Sequence, residues 1–199
     1  MAYSQNSEEQ VILDYFGFIQ GTFADIGAND GVTFSNTKML AERGWKGILL
    51  EPSPKAYAKL KEIYKGIDGV YTYPFAIGNH NGTAILNESA SLINSHDVAL
   101  VSTFKEEEMQ RFRSITSYTP VEVKVFRWKT FLNRVKYKTF DFISIDAEGL
   151  DLDILRQIDL SNTRMVCVEW NGKQKDEFMA ACSGFRLIHE NGENLIFAR

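Results

Sequence analysis

The chain has few cysteines and no long apolar run, and each absence excludes a class of protein. Only two of its 199 residues are Cys, Cys167 and Cys182; they lie in apolar surroundings without metal-ligand spacing, which favours buried thiols over a disulfide and fits a reducing compartment. No apolar run approaches the roughly 20 residues of a membrane span, and residues 1–10 lack the features of a signal peptide. We therefore expect a soluble, cytoplasmic protein.

An excess of positive charge is also missing. The formal net charge is −4, and the one locally basic stretch lies between Lys124 and Lys138, which makes nucleic acid a weak candidate partner. No Asn-Pro-Pro-Tyr-like motif for chemistry on a base amino group is present. Repeats and low-complexity tracts are absent too, and the length is that of one domain over residues 1–199.

Apolar runs alternate with helical patterns along most of the chain. Ser53 followed by Pro54, for example, is typical of a helix start. Alternating strands and helices predict an α/β fold, in which a mostly parallel sheet is covered on both faces in a three-layer sandwich. The predicted strands cover residues 22–28, 47–53, 70–78, 140–146 and 164–170, and the predicted helices follow Ser7 and cover residues 33–43, 54–65, 150–158 and 173–183.

The last part of the chain predicts a reversal of strand direction. Two apolar stretches, residues 185–190 and 193–199, flank Asn191-Gly192, which is a strong signal for a two-residue hairpin. A dinucleotide-binding oxidoreductase would normally keep its sixth strand parallel. An antiparallel C-terminal hairpin favours instead the seven-stranded, Rossmann-like sheet of class I methyltransferases.

The loop after the first strand, FADIGANDG (residues 23–31), predicts a cationic ligand. In the pyrophosphate pattern G-x-G-x-x-G, Asn29 and Val32 replace the second and third glycines, while Asp25 and Asp30 add negative charge and no Lys or Arg follows before Lys38. Phosphates would be repelled there. S-adenosylmethionine carries an ammonium and a sulfonium, which these carboxylates would attract. A turn-stabilising or helix-capping role for the same Asp residues is the structural alternative.

Two further positions fit a nucleoside across the edge of the sheet. Glu51 ends the second strand, where a carboxylate can accept hydrogen bonds from both ribose hydroxyls; NAD would use the same acid. Ala76 and Ile77 close the third strand and are candidates to contact an adenine ring. A solvated strand end for Glu51, and core packing for the two apolar residues, remain alternatives.

Residues 79–121 interrupt the alternation and form a predicted insertion. A hairpin around Asn81-Gly82 and an exposed, charged helix over residues 97–114 are expected. Because the segment connects the third and fourth strands, it would lie near the edge where α/β sheets bind ligands. It is either a substrate lid or a surface insertion without function. His80 and His96 lie in it and are candidate bases, although a surface role is the alternative; for His189, in the closing hairpin, we expect a structural role.

Several motifs, in this order, resemble the FkbM-type methyltransferases: FADIGANDGVTFSNT, GWKGILLEPSP, FAIGNHNG and DFISIDAEGLDLDIL. The similarity runs from about Tyr3 to about Ile158. It implies a single-domain, S-adenosylmethionine-dependent class I methyltransferase that methylates a hydroxyl of a sugar, glycan or small metabolite. It also implies that Glu51 binds ribose and that Asp146 and Glu148 form an acidic site motif. The cofactor loop and the helix after it would be formed by Asp25, Gly27, Asn29, Gly31, Ser35 and Asn36.

The chain departs from the family pattern at two places. Ser144 stands where many members have Lys, and Arg127-Trp128-Lys129 stands where many have Thr-Leu-Asp. The second exchange reverses a charge just before the fourth strand, so the acceptor of better-known members is not assumed for this chain. A short chain has little room for a substrate domain, so the insertion or a second subunit of a homo-oligomer must complete the pocket.

An alcohol is a poor nucleophile at neutral pH and needs a base or a metal ion. Asp146 ends the fourth strand, while Glu169 and Asn171 follow the fifth, which predicts three oxygen ligands suited to Mg²⁺. The other open mechanism is metal-free transfer, with Asp146 or Glu148 as the base. Asp146 is also expected to lie beside the cofactor. A protein that binds S-adenosylmethionine or another nucleoside without turnover, as a regulatory or scaffold partner, is the alternative from another functional class.

Overall fold

The computed structural model describes residues 3–91 and 99–199. Strands and helices alternate along most of this part of the chain. The strands are β1 (Thr22–Ile26), β2 (Lys46–Leu50), β3 (Val70–Tyr73), β4 (Phe75–Ile77), β5 (Gly82–Ser89), β6 (Tyr118–Phe126), β7 (Phe142–Ile145), β8 (Met165–Glu169), β9 (Arg186–Glu190) and β10 (Asn194–Ala198). The helices are α1 (Glu8–Phe16), α2 (Lys38–Glu42), α3 (Pro54–Ile63), α4 (Glu106–Phe112), α5 (Trp128–Leu132), α6 (Asp151–Leu155) and α7 (Lys175–Ala181).

Seven of the strands form one sheet in the order β3-β2-β1-β7-β8-β10-β9. The first five of these strands are parallel, and β10 is antiparallel to both β8 and β9. The order switches direction between β1 and β7, which opens a crevice at the carboxyl ends of the strands. The predicted fold class and the antiparallel C-terminal hairpin are therefore confirmed.

Helices cover both faces of this sheet because successive strand residues point to opposite sides. On one face, α1, α2 and α3 pack on Phe23, Leu49 and Phe142. On the other face, α5, α6 and α7 pack on Ile48 and Ile143, among others. Side chains on both faces of the sheet are thus buried, as expected for a three-layer sandwich. Cys167 and Cys182 lie within these two cores as free, buried thiols, which confirms the prediction of no disulfide.

A second sheet, in the order β4-β6-β5, corrects the predicted layout of the insertion. The predicted hairpin around Asn81-Gly82 is wrong, since β5 pairs along its length with β6, which separates it from β4. The predicted strand over residues 70–78 is split at Pro74, whose missing N–H cannot join a ladder. Residues 82–89 pair with residues 118–126 although nearly thirty positions lie between them. Local sequence patterns do not predict a pairing over such a distance.

Two helical predictions change in detail, and one is confirmed. The helix after the cofactor loop begins at Lys38 instead of residue 33, because Asp30 accepts main-chain hydrogen bonds from Val32 and Thr33 and holds a turn there. Ser53 caps α3 by accepting from the N–H of Ala56, as predicted. The charged helix of the insertion is limited to α4, and residues 97 and 98 lie outside the described residues. Across the two described ranges, no helix is both long and apolar enough to cross a membrane.

Candidate active site

A cavity of about 290 Å³ lies at the carboxyl ends of β1, β2, β7 and β8. The topology brings these strand ends together although they lie far apart in the sequence. Apart from the candidate histidines, Gly31 is the one predicted site residue that does not line the cavity. Those that do are Asp25, Gly27, Asn29, Ser35, Asn36, Glu51, Ala76, Ile77, Asp146, Glu148, Glu169 and Asn171.

Asp25 lies at the centre of the sheet, paired with Leu49 on one side and Ser144 on the other. Its side chain is buried, and its Oδ2 oxygen accepts a 2.5 Å hydrogen bond from Thr37 Oγ1. Burial raises the pKa of Asp25 to about 6, and the Thr37 hydroxyl partly opposes this shift. The protein therefore holds an acidic group in the cavity wall with one neutral partner.

The two glycines of the loop have different tasks. Gly27 has a φ of 89°, and a side chain there would collide with the main-chain oxygen of Asp146, so only glycine allows the close approach between the end of β1 and the residue after β7. Gly31 also has a positive φ, of 77°, but a side chain there would meet Tyr64 and Leu60 of the α3 region. Its position is explained by packing.

Glu51 holds the loop in place while it faces the cavity. Its Oε2 oxygen accepts from the main-chain N–H of Asn29 at 2.9 Å, and its Oε1 oxygen accepts from the N–H of Ser53 at 2.7 Å. Burial raises the pKa of Glu51 to about 7, although both main-chain hydrogen bonds oppose the shift. Each oxygen keeps a second lone pair with which it can accept a ligand hydroxyl.

The segment after the loop adds polar groups at the cavity wall. Ser35 Oγ accepts from the main-chain N–H of Lys38 at 3.1 Å and so fixes the start of α2. Asn36 donates from Nδ2 to Ser144 Oγ (3.4 Å) and to Cys167 Sγ (3.6 Å). Its Oδ1 oxygen is buried and finds no donor among the described residues, which marks it as an acceptor available to a ligand.

Three acids converge at the end of the cavity beyond the loop. One carboxylate oxygen each of Asp146, Glu148 and Glu169 lies within 4.8 Å of the others; we call this group the carboxylate triad. Asp146 is exposed in the cavity but lies deep among protein atoms and beside Asp151, and both factors raise its pKa. Burial and repulsion from Asp146 raise the pKa values of Glu148 and Glu169 well above those of ordinary Glu side chains.

Asn171 lies beside the triad but faces away from it in part. Its Oδ1 oxygen accepts from Arg111 Nη2 at 3.5 Å. Arg111 belongs to α4 of the insertion and also meets Glu108, a buried acid that forms a second ion pair with Lys173. These contacts attach α4 to the loop after β8 and so place part of the insertion along the cavity.

Sequence reasoning missed a group of lining residues that only the tertiary structure brings to the site. Phe34 has a φ of 57°, which is unusual for a bulky residue, and its side chain is 39% exposed. Both features become evident only in the structure. Of the candidate histidines, His80 bonds within the turn before β5 and His189 lies on β9; neither lines the cavity, and His96 lies outside the described residues. The missed lining residues include Gln5, Glu8, Phe34, Phe104, Arg111, Phe112, Glu193 and Asn194.

A mostly parallel seven-stranded sheet with a reversed final hairpin is the class I methyltransferase architecture, and the acid-lined cavity lies at its topological switch point. The chain belongs to the Methyltransferase FkbM domain family, whose model matches residues 25–192. The resemblance of the ordered motifs to this family is thereby confirmed, and methyl transfer is the chemistry that the family shares.

Similar proteins agree with this assignment. The 2-O-methyltransferase NoeI of Sinorhizobium fredii (strain NBRC 101917 / NGR234) is 22% identical over 156 residues, which cover 75% of this chain and 63% of that protein. The chain thus spans less than two thirds of this curated relative. Among solved structures, methyltransferase FkbM from Methylobacillus flagellatus KT matches with a TM-score of 0.55 at 11% identity, over 90% of this chain and 44% of that one. Monomeric WbdD matches with a TM-score of 0.56 at 10% identity, over 99% and 42%; such low identities establish the fold alone.

Proposed function

We propose that this protein transfers a methyl group from S-adenosylmethionine to a hydroxyl of a sugar, glycan or small metabolite. The observation that carries the proposal is the cavity itself, in which Asp25, Glu51 and Asp146 meet at the ends of neighbouring strands. The name of NoeI, a 2-O-methyltransferase, supports oxygen as the accepting atom.

The residues present fit S-adenosylmethionine. Its ammonium and sulfonium are cations, and the buried Asp25 carboxylate together with the donor-free Oδ1 oxygen of Asn36 suits a cationic, hydrogen-bonding group. Glu51 would hold the ribose hydroxyls, and the buried, apolar Ala76 and Ile77 would contact the adenine ring. When bound, the cofactor supplies a methyl group attached to positively charged sulfur.

The chain's own task is then to align the acceptor and remove its proton. We propose Asp146 as the general base, because it directly follows β7 and contacts the loop through Gly27. Its raised pKa is closer to neutrality than that of an ordinary Asp, which favours proton uptake from a hydroxyl. Glu148 is the second candidate base. The insertion, through Phe104, Arg111 and Phe112, would close the acceptor side of the cavity.

A second candidate for acceptor activation is Mg²⁺, which would bind the acceptor oxygen and lower its pKa. The observation in its favour is the carboxylate triad, whose oxygens lie within 4.8 Å of one another. The triad adds Glu148 to the predicted ligands Asp146 and Glu169, and the Oδ1 oxygen of the third predicted ligand, Asn171, accepts from Arg111. Activity that persists in a chelator and does not respond to added Mg²⁺ would exclude this mechanism.

Calorimetric titration with S-adenosylmethionine and S-adenosylhomocysteine tests the proposal. We expect micromolar binding of both, lost in Asp25→Ala and Glu51→Ala and retained in Glu62→Gln, whose exposed side chain lies on α3 and pairs with Lys65. Methyl transfer is then followed by mass spectrometry on hydroxylated sugars and metabolites. Cofactor binding without transfer to any acceptor would support the alternative, a non-catalytic binding protein; no binding of either nucleoside would contradict the proposal.

A further inference from the structure

The carboxylate triad has no cationic partner of its own. In the two ranges that the structure describes, neither Asp146 nor Glu148 nor Glu169 forms an ion pair with a Lys, Arg or His side chain. Three carboxylates gathered within 4.8 Å repel one another, and this repulsion is costly in a partly enclosed space. A positive group bound among them would remove the cost.

Glu169 gives independent evidence that something donates to this place. Its Oε2 oxygen is buried and meets no hydrogen-bond donor in residues 3–91 and 99–199. A buried acceptor without a donor is uncommon in folded proteins, and it points to a partner that is bound during function. Glu169 is also a lining residue of the cavity, so its carboxyl group lies beside the space that a ligand would fill.

The rest of the cavity lining does not supply the missing charge. Arg111 is the only Lys or Arg in the described part of that lining, and its guanidinium is already engaged by Glu108 and Asn171. The cavity lining includes two further acids, Glu8 and Glu193. An acceptor that carried a phosphate or a carboxylate would therefore be repelled at this end of the cavity.

A monovalent cation with several N–H donors fits these observations better than a metal ion does. Asn171, whose neutral oxygen would complete a metal site, accepts from Arg111 instead. An ammonium has three donors and matches carboxylate oxygens through charge-assisted hydrogen bonds.

We propose that Glu148 and Glu169 bind a protonated amine of the acceptor, which makes the acceptor an amino sugar. This inference rests on the proposed function, since it names the substrate class of the same site. Asp146, next to Gly27, remains free to serve the hydroxyl that is methylated. The triad thus divides into a base and a cation-binding pair.

A matched pair of probes tests this directly. Glucosamine and N-acetylglucosamine differ in the charge of one nitrogen, and each is titrated calorimetrically into the protein with and without S-adenosylhomocysteine, under conditions that keep the amine protonated. We expect glucosamine to bind at least about ten-fold more tightly than N-acetylglucosamine, because its amine can form charge-assisted hydrogen bonds. Glu169→Gln should abolish this preference, and the surface control Glu62→Gln should retain it.

The outcomes separate this inference from the proposed function. Equal affinities for the two sugars, or no binding of glucosamine, would overturn the amine subsite even where S-adenosylhomocysteine binds. Failure of S-adenosylhomocysteine to bind contradicts the proposed function, whereas the sugar pair measured without it still reports on Glu148 and Glu169. A parallel titration with MgCl₂ that gives binding sensitive to Glu169→Gln, and displaced by neither sugar, would make the triad a metal site and overturn the inference.

Discussion

The Oε2 oxygen of Glu51 accepts a hydrogen bond of 2.9 Å from the main-chain N–H of Asn29. The acid that ends β2 therefore also fixes the loop that follows β1, so one side chain couples two of the predicted nucleoside contacts. Because the loop is held before any ligand arrives, binding does not have to include the cost of ordering it.

Glu51→Gln is expected to weaken cofactor binding without unfolding the protein. The amide keeps one acceptor oxygen but turns N–H groups toward a main-chain N–H and loses the charge that strengthens hydrogen bonds to ribose. A hydrogen bond to a charged group contributes about 1.5–3 kcal/mol, so we expect the Kd for S-adenosylhomocysteine to rise about ten- to a hundred-fold. Calorimetry measures the Kd and thermal unfolding checks the fold, with Glu62→Gln as control. An unchanged Kd would refute the ribose assignment.

Asp25→Asn is expected to stabilise the ligand-free protein at alkaline pH. Burial raises the pKa of Asp25 from 3.8 to about 6, so between these values the native state keeps a proton that the unfolded chain releases. The free energy of unfolding therefore falls as pH rises through this window and stays lower above it. Neutral Asn removes this penalty, and we expect a gain of about 1–3 kcal/mol near pH 8 that disappears near pH 4.

Urea denaturation of Asp25→Asn and the wild type at both pH values measures this difference. The same variant should bind S-adenosylmethionine more weakly, because its cations lose a carboxylate partner. A variant that is less stable than the wild type near pH 8 would show that Thr37 and the surrounding groups fully compensate the buried charge. Stability gained with affinity lost would identify Asp25 as a residue retained for binding.

Asp146→Asn separates catalysis from binding. If Asp146 takes the proton of the acceptor, its loss lowers kcat about 10²- to 10⁴-fold, since that is the range for a positioned base. The Kd for S-adenosylhomocysteine should change little, because Asp25 and Glu51 remain. Glu148→Gln is measured beside it. A larger loss of kcat in Glu148→Gln than in Asp146→Asn would exchange their proposed roles.

The elements that local patterns specify are those that the sequence predicts well. Ser53 and Pro54 mark the start of α3 through their own chemistry, and Asn191-Gly192 sets the closing hairpin; both predictions are confirmed. The split at Pro74 and the pairing of β5 with β6 depend on contacts between distant segments. Such contacts produce no periodic pattern in the sequence of either strand. The predicted hairpin around Asn81-Gly82 is wrong for this reason.

The candidate site divides in the same way. Asp25, Glu51 and Asp146 could be predicted because each lies at or next to the carboxyl end of an apolar strand, and strand ends of a parallel sheet meet at one edge. Arg111 and Glu8 lie on helices whose sequences say nothing about a cavity, and they reach it only through tertiary packing. Asp30, in contrast, lies in the predicted loop but stabilises the turn, because its Oδ1 oxygen accepts hydrogen bonds from the main-chain N–H groups of Val32 and Thr33.

Gly27→Ala tests the close approach between β1 and β7. Gly184 provides a matched control, because it has the same φ of 89° but open space around it. Gly184→Ala should cost only the backbone strain of about 1–2 kcal/mol. Gly27→Ala adds a collision with the main-chain oxygen of Asp146, and we expect it to be at least about 2 kcal/mol worse than the control. Equal losses in urea denaturation would contradict the packing seen around Gly27.

The buried acid Glu108 is expected to control the mobility of the insertion. It accepts from Lys173 Nζ at 3.0 Å, which ties α4 to the loop after β8, and it pairs with Arg111 of the same helix at 3.4 Å. Glu108→Gln leaves two cations without their counterion, and breaking such a partly buried pair costs about 1–3 kcal/mol. Hydrogen exchange of main-chain amides in residues 103–112 should therefore become about ten-fold faster or more.

Glu106→Gln is the control, because it changes an exposed position of the same helix, and it should leave exchange unchanged. If both variants exchange alike, the ion pairs of Glu108 do not hold α4 against the cavity, and other contacts retain it there, such as the hydrogen bonds from Arg111 to Asn171 and from Thr103 Oγ1 to the main-chain oxygen of Glu148.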